Sequence, residues 1–143
     1  MYPVNIRPRS GCRPTPSRQE IAMPFIEVFD REPVQETRAV ATSLMTDGLC
    51  AAFGIKPEIV TVYYFSTPEN SYGHAGKYGE NAEIFRIFAK VHAFPRSAEA
   101  KAEAARALTG ALCRAYGAQP RDVIVYFFDR DPGDAFHGGV ASA

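Results

Sequence analysis

A methionine followed by a proline heads the apolar run Met23-Pro24-Phe25-Ile26-Glu27-Val28-Phe29. If Met23 is the initiator and is removed, Pro24 carries a free secondary amine, which is both a base and a nucleophile. A chain-terminal amine titrates near roughly 8. Burial among aromatic rings and a neighbouring cation both disfavour its charged form and lower that value. A lowering of about one unit corresponds to about 1.4 kcal/mol between the two protonation states. A base tuned in this way contributes about 10²–10⁴-fold to a proton transfer. If the chain instead begins at Met1, the same nitrogen is an amide and has no such chemistry. A second residue stands out by position. Arg96 directly precedes Ser97, the expected N-cap of a helix, where the helix dipole disfavours a cation. That placement marks Arg96 for a role other than supporting the helix.

The remaining reactive side chains exclude other chemistries. His74, His92 and His137 lack the spacing with each other or with carboxylates that a metal site needs. His74 and His92 read as solvent or interface residues. The three cysteines contain no Cys-x-x-Cys pair, which argues against a disulfide framework or a zinc site. Cys50 and Cys113 read as small buried hydrophobes on helices. No Gly-Lys-Ser/Thr opens a helix, so there is no phosphate-binding loop. The expected chemistry needs neither metal nor organic cofactor.

These residues must be positioned by one domain. The chain has 143 residues, 46% of them hydrophobic, with ten Phe and seven Tyr, enough for a single packed core. Sixteen basic residues balance sixteen acidic ones, which removes the electrostatic footprint of a nucleic-acid binder. No apolar run approaches a membrane span, and a reducing, cytoplasmic compartment is expected. Residues 1–22 differ in composition from the rest, with Pro3, Pro8, Pro14, Pro16 and four Arg. Prolines at that density prevent a regular helix, and no hydrophobic stretch marks a secretory signal. The segment is either a disordered arm or an upstream stretch that is not translated. The second is the expectation, because Gln19-Glu20 can be encoded with the purine run of a bacterial ribosome-binding site just ahead of Met23.

From Pro24 onward the chain repeats itself at an offset of 63 residues, without gaps. Leu49-Cys50-Ala51-Ala52-Phe53-Gly54 aligns with Leu112-Cys113-Arg114-Ala115-Tyr116-Gly117. Val60, Val62, Tyr63 and Phe65 align with Val123, Val125, Tyr126 and Phe128. Each unit, 24–83 and 87–143, reads β-α-β. Ala41, Met45, Leu49 and Phe53 share one helix face, as do Ala104, Leu108, Leu112 and Tyr116. Gly54 and Gly117 stand where a helix C-terminus takes a left-handed residue, and Pro57 and Pro120 forbid continuation. Val60–Phe65 and Val123–Phe128 read as strands. The second unit opens with a strand over Ile84–Phe94, apolar on one face with Arg86, Lys90 and His92 on the other. The Gly-rich stretch from Ser66 to Glu83 and the tail after Asp129 read as equivalent loops. The fold class is therefore α+β, a four-stranded sheet with two helices on one face. The other sheet face keeps exposed aromatic residues, so self-association is expected.

A Met-Pro start, two β-α-β units and about 120 residues resemble the tautomerase superfamily. That group includes 4-oxalocrotonate tautomerase, macrophage migration inhibitory factor and cis-3-chloroacrylic acid dehalogenase, and the chain looks nearest to the last. The match is carried by Arg96-Ser97 with Lys101 at the second helix, by Val125-Tyr126-Phe127 and by Phe127-Phe128-Asp129. The resemblance implies a homotrimer in which Pro24 is the catalytic base or acid. It further implies that Arg96 binds a substrate carboxylate and that Tyr126 orients or polarises substrate or water. Three positions depart from the dehalogenase pattern. Ala93 replaces a second carboxylate-binding arginine, His137 replaces a water-activating glutamate, and a helix histidine is about at Ala51. These changes point away from hydrolytic dehalogenation and towards cofactor-free keto–enol isomerisation of a small 2-oxo acid, phenylpyruvate-like given the aromatic content. Two alternatives stand. One is hydration or decarboxylation of a small unsaturated or 3-oxo acid, with His137 in the glutamate's place. The other is a non-catalytic trimeric binding protein, if Pro24 is internal.

Overall fold

The computed structural model of the chain describes residues 23–142. The Pro/Arg-rich segment 1–22, and with it the expectation of an untranslated or disordered arm, lies outside the described residues.

The repeat read from the sequence is also a repeat of structure. Strand β1 (Phe25–Asp30), helix α1 (Gln35–Phe53) and strand β2 (Thr61–Ser66) form the first unit. Strand β5 (Ile87–Ala93), helix α2 (Ala98–Tyr116) and strand β6 (Val123–Asp129) form the second. The two 19-residue helices stand at an offset of 63. Each unit is followed by a two-stranded hairpin, β3 (Gly73–His74) with β4 (Lys77–Tyr78), and β7 (Phe136–His137) with β8 (Val140–Ala141). The main sheet runs β2-β1-β5-β6. Its outer pairs are parallel within a unit, and its central pair β1–β5 is antiparallel between units.

Burial follows the alternation that a strand imposes on its side chains. Ile26, Val28, Ala89 and Val91 are fully buried on the helix side. Ala41, Met45 and Leu49 of α1 and Ala104, Leu108 and Leu112 of α2 close on them. Leu108 and Leu112 are fully buried, and truncating such a leucine to alanine costs about 2–5 kcal/mol. The helices touch closely at Gly48, where an added Cβ would lie 2.9 Å from the Cβ of Ala107. Gly54 ends α1 at φ 64°, in the left-handed region that glycine adopts without strain. Ser97 caps α2, its Oγ accepting the Ala100 N–H at 3.1 Å.

Three expectations need correction. The opening strand of the second unit starts at Ile87, not Ile84. Tyr72 draws the preceding residues away, donating to the Ile84 carbonyl at 2.9 Å and accepting from the Arg86 N–H at 3.1 Å. The last long strand extends through Asp129, and the Arg130 N–H continues its ladder onto Ala93. Cys50 and Cys113 are half-buried rather than buried, since both sit on helix flanks outside the buried stripe.

The far face of the sheet carries no helix among the described residues. Tyr63, Phe65, Tyr126 and Phe128 project from it, each 41–57% exposed. No described helix is long and apolar enough to cross a membrane.

Candidate functional site

β1 and β2 begin, and β5 and β6 finish, at the same end of the sheet. There a cavity of about 460 Å³ opens on the uncovered face. Its strand-side lining is aromatic: Phe25, Tyr63, His92 and Phe94. The C-terminal segment closes it from the other side with Asp134, Ala135, Phe136 and His137. This segment reaches the cavity because a short 3-10 turn at Pro132–Asp134 carries the chain into the β7–β8 hairpin. Asp131 caps that turn, accepting the Gly133 N–H at 2.9 Å.

Pro24 stands between two residues of the lining, Met23 and Phe25, and is not itself among the lining residues. It is buried, and its carbonyl accepts the Thr61 N–H at 3.3 Å, which pins it between β1 and β2. His137 lines the cavity too, so the structure brings the vicinity of Pro24 and His137 together. Two other residues singled out by the sequence lie elsewhere on the chain. Arg96 packs its guanidinium over the Phe53 ring at 4.9 Å. Its Nη1 donates to the Phe94 carbonyl at 3.0 Å and the Pro95 carbonyl at 3.3 Å. Tyr126 is 57% exposed on the uncovered face, edge-on to Phe88 at 5.1 Å. Neither lines this cavity.

The most ordered polar group of the cavity was not read from the sequence as functional. His92 is only 15% exposed, not a solvent residue, and its Nε2 lies 2.6 Å from Glu27 Oε2. Its ring is stacked between Phe25, at 4.3 Å, and Phe128, at 5.0 Å. A carboxylate accepts the hydrogen bond of an Nε2–H, which places a proton on that ring nitrogen. Nδ1 is buried without a hydrogen-bond partner among the described residues. The signal that could have found this pair is the strand register. Phe25 stands opposite His92 and Glu27 opposite Lys90, which places Glu27 diagonal to His92 on one face. Arg130 also lines the cavity, as its only lysine or arginine among the described residues. Among the described residues no group of three or more His, Cys, Asp or Glu could hold a metal ion.

The opposite end of the sheet is closed by a different polar cluster. Asp30 is fully buried. Arg38 donates to it from Nε at 3.1 Å and from Nη2 at 2.7 Å, and Nη2 also reaches Ser66 Oγ at 2.9 Å. Tyr116 donates its hydroxyl to the same carboxylate. Burial, and then the hydrogen bond to Asp30, push the Tyr116 hydroxyl far above its ordinary pKa. The bond to Asp30 likewise raises Arg38.

The sequence itself matches no family model and no curated protein. Solved structures do match. A native fused 4-OT superposes with a TM-score of 0.78 at 20% identity, over 82% of this chain and 95% of that one. The chain has the β-α-β tautomerase fold. A macrophage migration inhibitory factor from Toxoplasma gondii matches with a TM-score of 0.69 at 16% identity, over 82% of this chain and 98% of its own. A member of the cis-3-chloroacrylic acid dehalogenase family, N1, matches with a TM-score of 0.69 at 19% identity, over 82% of each chain. In this tautomerase fold the first β-α-β unit begins at Pro24, and the cavity lies at that strand's N-terminal end.

Proposed function

We propose that the chain is a cofactor-free tautomerase that moves a proton between carbon and oxygen of a small 2-oxo acid, with Pro24 as its base. The observation that carries this reading is the cavity at the start of β1, lined by both chain neighbours of Pro24. Removal of Met23 would free the proline nitrogen beside that cavity. Aromatic surroundings disfavour an ammonium and keep the amine close to neutral pH. Arg96 and Tyr126 belong to this reading as carboxylate clamp and polar partner, and His137 as a substrate-binding residue on the cavity wall. The likeness of fold to the tautomerase superfamily supports the class of chemistry.

A homotrimer is part of the same proposal. The exposed Tyr63, Phe65, Tyr126 and Phe128 form an uncovered apolar sheet face that association would bury. Fused 4-OT proteins of the same fold form symmetric and asymmetric trimers.

The test is enol ketonisation of phenylenolpyruvate by the natively processed protein and by Pro24→Ala. A loss of about 10² or more is expected for the variant. An unchanged rate would end the proline mechanism. The position of His137 on the cavity wall favours one second reading, hydration or decarboxylation of a small unsaturated or 3-oxo acid. Release of CO₂ from a 3-oxo acid, lost in His137→Ala, would establish it in place of tautomerisation.

A further inference from the structure

We infer that Arg130, in place of Arg96, holds the substrate's carboxylate in this cavity, an inference that rests on the tautomerase reading and changes only its clamp. Arg130 is the one Lys or Arg side chain lining the cavity among the described residues. Its position is fixed by the backbone. The Arg130 N–H donates to the Ala93 carbonyl at 2.8 Å, one step beyond the Ala93–Asp129 register pair. Alternation along the strand then puts its side chain on the face of Tyr126 and Phe128, the face on which the cavity opens.

Among the described residues the guanidinium is also without a side-chain partner. It forms no ion pair or side-chain hydrogen bond with a described residue, although Asp134 lines the same cavity. Three other cations of the chain are committed elsewhere. Arg38 pairs with Asp30, Lys101 with Asp129, and Arg96 with carbonyls of its own turn. A free, planar fork with five N–H donors matches a carboxylate bidentately. The rest of the cavity, Phe25, Tyr63, His92 and Phe136, offers ring faces to an apolar body. A 2-oxo acid bearing an aromatic side chain satisfies both halves. Its carboxylate meets Arg130 and its ring lies among the aromatic walls, with the reacting carbon towards the start of β1. Among the described residues Asp134 is the single carboxylate in the lining, and it works against anion binding.

The experiment compares kcat and KM for phenylenolpyruvate and for its uncharged methyl ester, using natively processed protein and Arg130→Ala, Arg130→Lys, Arg96→Ala and Asp134→Asn. Arg130→Ala should raise KM for the acid about 10- to 100-fold and leave the ester unchanged, the loss expected of a charge-assisted contact. Arg130→Lys should recover part of that loss, and Asp134→Asn should lower KM by about two- to fivefold. If Arg96→Ala raises KM selectively for the acid while Arg130→Ala does not, the assignment to Arg130 is overturned, yet the proline reading stands. If Pro24→Ala keeps full activity, or no ketonisation occurs, it is the tautomerase reading that fails. Calorimetric titration with phenylpyruvate then decides on Arg130 alone. Binding at least tenfold weaker in Arg130→Ala supports it, and equal affinity contradicts it.

Discussion

The two ends of the sheet are built from equivalent residues of the two units and have been put to opposite uses. At the end where β1 and β2 finish, Asp30 is sealed under the helices by Arg38, Ser66 and Tyr116. Sixty-three residues further on, the same four positions have different partners. Ala93 stands for Asp30, Lys101 for Arg38 and Asp129 for Ser66, while the aromatic at the helix end is Phe53 in the first unit and Tyr116 in the second. At that second end Lys101 pairs with Asp129 at the surface, 2.8 Å apart. Ala93 lines the cavity at this end, and the Arg130 guanidinium, where the first unit has Thr67, pairs with no described side chain. One end joins the units through a buried charge, and the other leaves a cation and a space available to a ligand.

The comparison can be broken most severely at Asp30. Asp30→Ala leaves Arg38 and Tyr116 without their shared partner and should cost about 3–5 kcal/mol of stability in a urea titration. A loss below about 1 kcal/mol would mean that the cluster is incidental. Tyr116→Phe removes one hydrogen bond to a carboxylate and should cost about 2 kcal/mol. It should also flatten the pH dependence. The folded chain holds the Tyr116 proton more tightly than the unfolded chain, whose hydroxyl titrates near 10.0. Raising the pH through that value therefore deprotonates the unfolded chain first, and stability present below about 10 declines above it. Thermal melts between pH 9 and 11 should fall less steeply for Tyr116→Phe than for the parent chain. Equal slopes would remove Tyr116 from the account.

Smaller effects sharpen the asymmetry between the helices. Gly48→Ala forces a methyl group against Ala107 and should destabilise by about 1–3 kcal/mol. Gly110→Ala meets nothing within 4 Å and should stabilise by about 0.5–1 kcal/mol through helix propensity. The same sign for both would contradict the close crossing at Gly48. Lys101→Ala removes an ion pair whose members are 28% and 48% exposed, and should cost less than about 1 kcal/mol.

The fold was legible because the repeat and the periodicities are properties of single segments. Ala41, Met45 and Leu49 announce their buried face four residues at a time, and Gly54 with Pro57 announces the stop. Of the candidate site, Pro24 was legible from its place behind a methionine. The Glu27–His92 pair was not, because it exists only in the register between β1 and β5, which 65 residues separate. Arg130 was missed for a related reason. It lies two residues past Phe128, the last apolar side chain of β6, where sequence alone gives no sign that the ladder continues. Arg96, conspicuous before its N-cap, lies over Phe53 within the chain and reaches this cavity with none of its described contacts.

All of the proposed chemistry depends on the state of one nitrogen. The intact mass of the natively expressed protein reports it directly. The expected mass is that of a chain beginning at Pro24, with its amine free. A mass that includes Met23, with or without residues 1–22, would leave that nitrogen acylated and contradict the account.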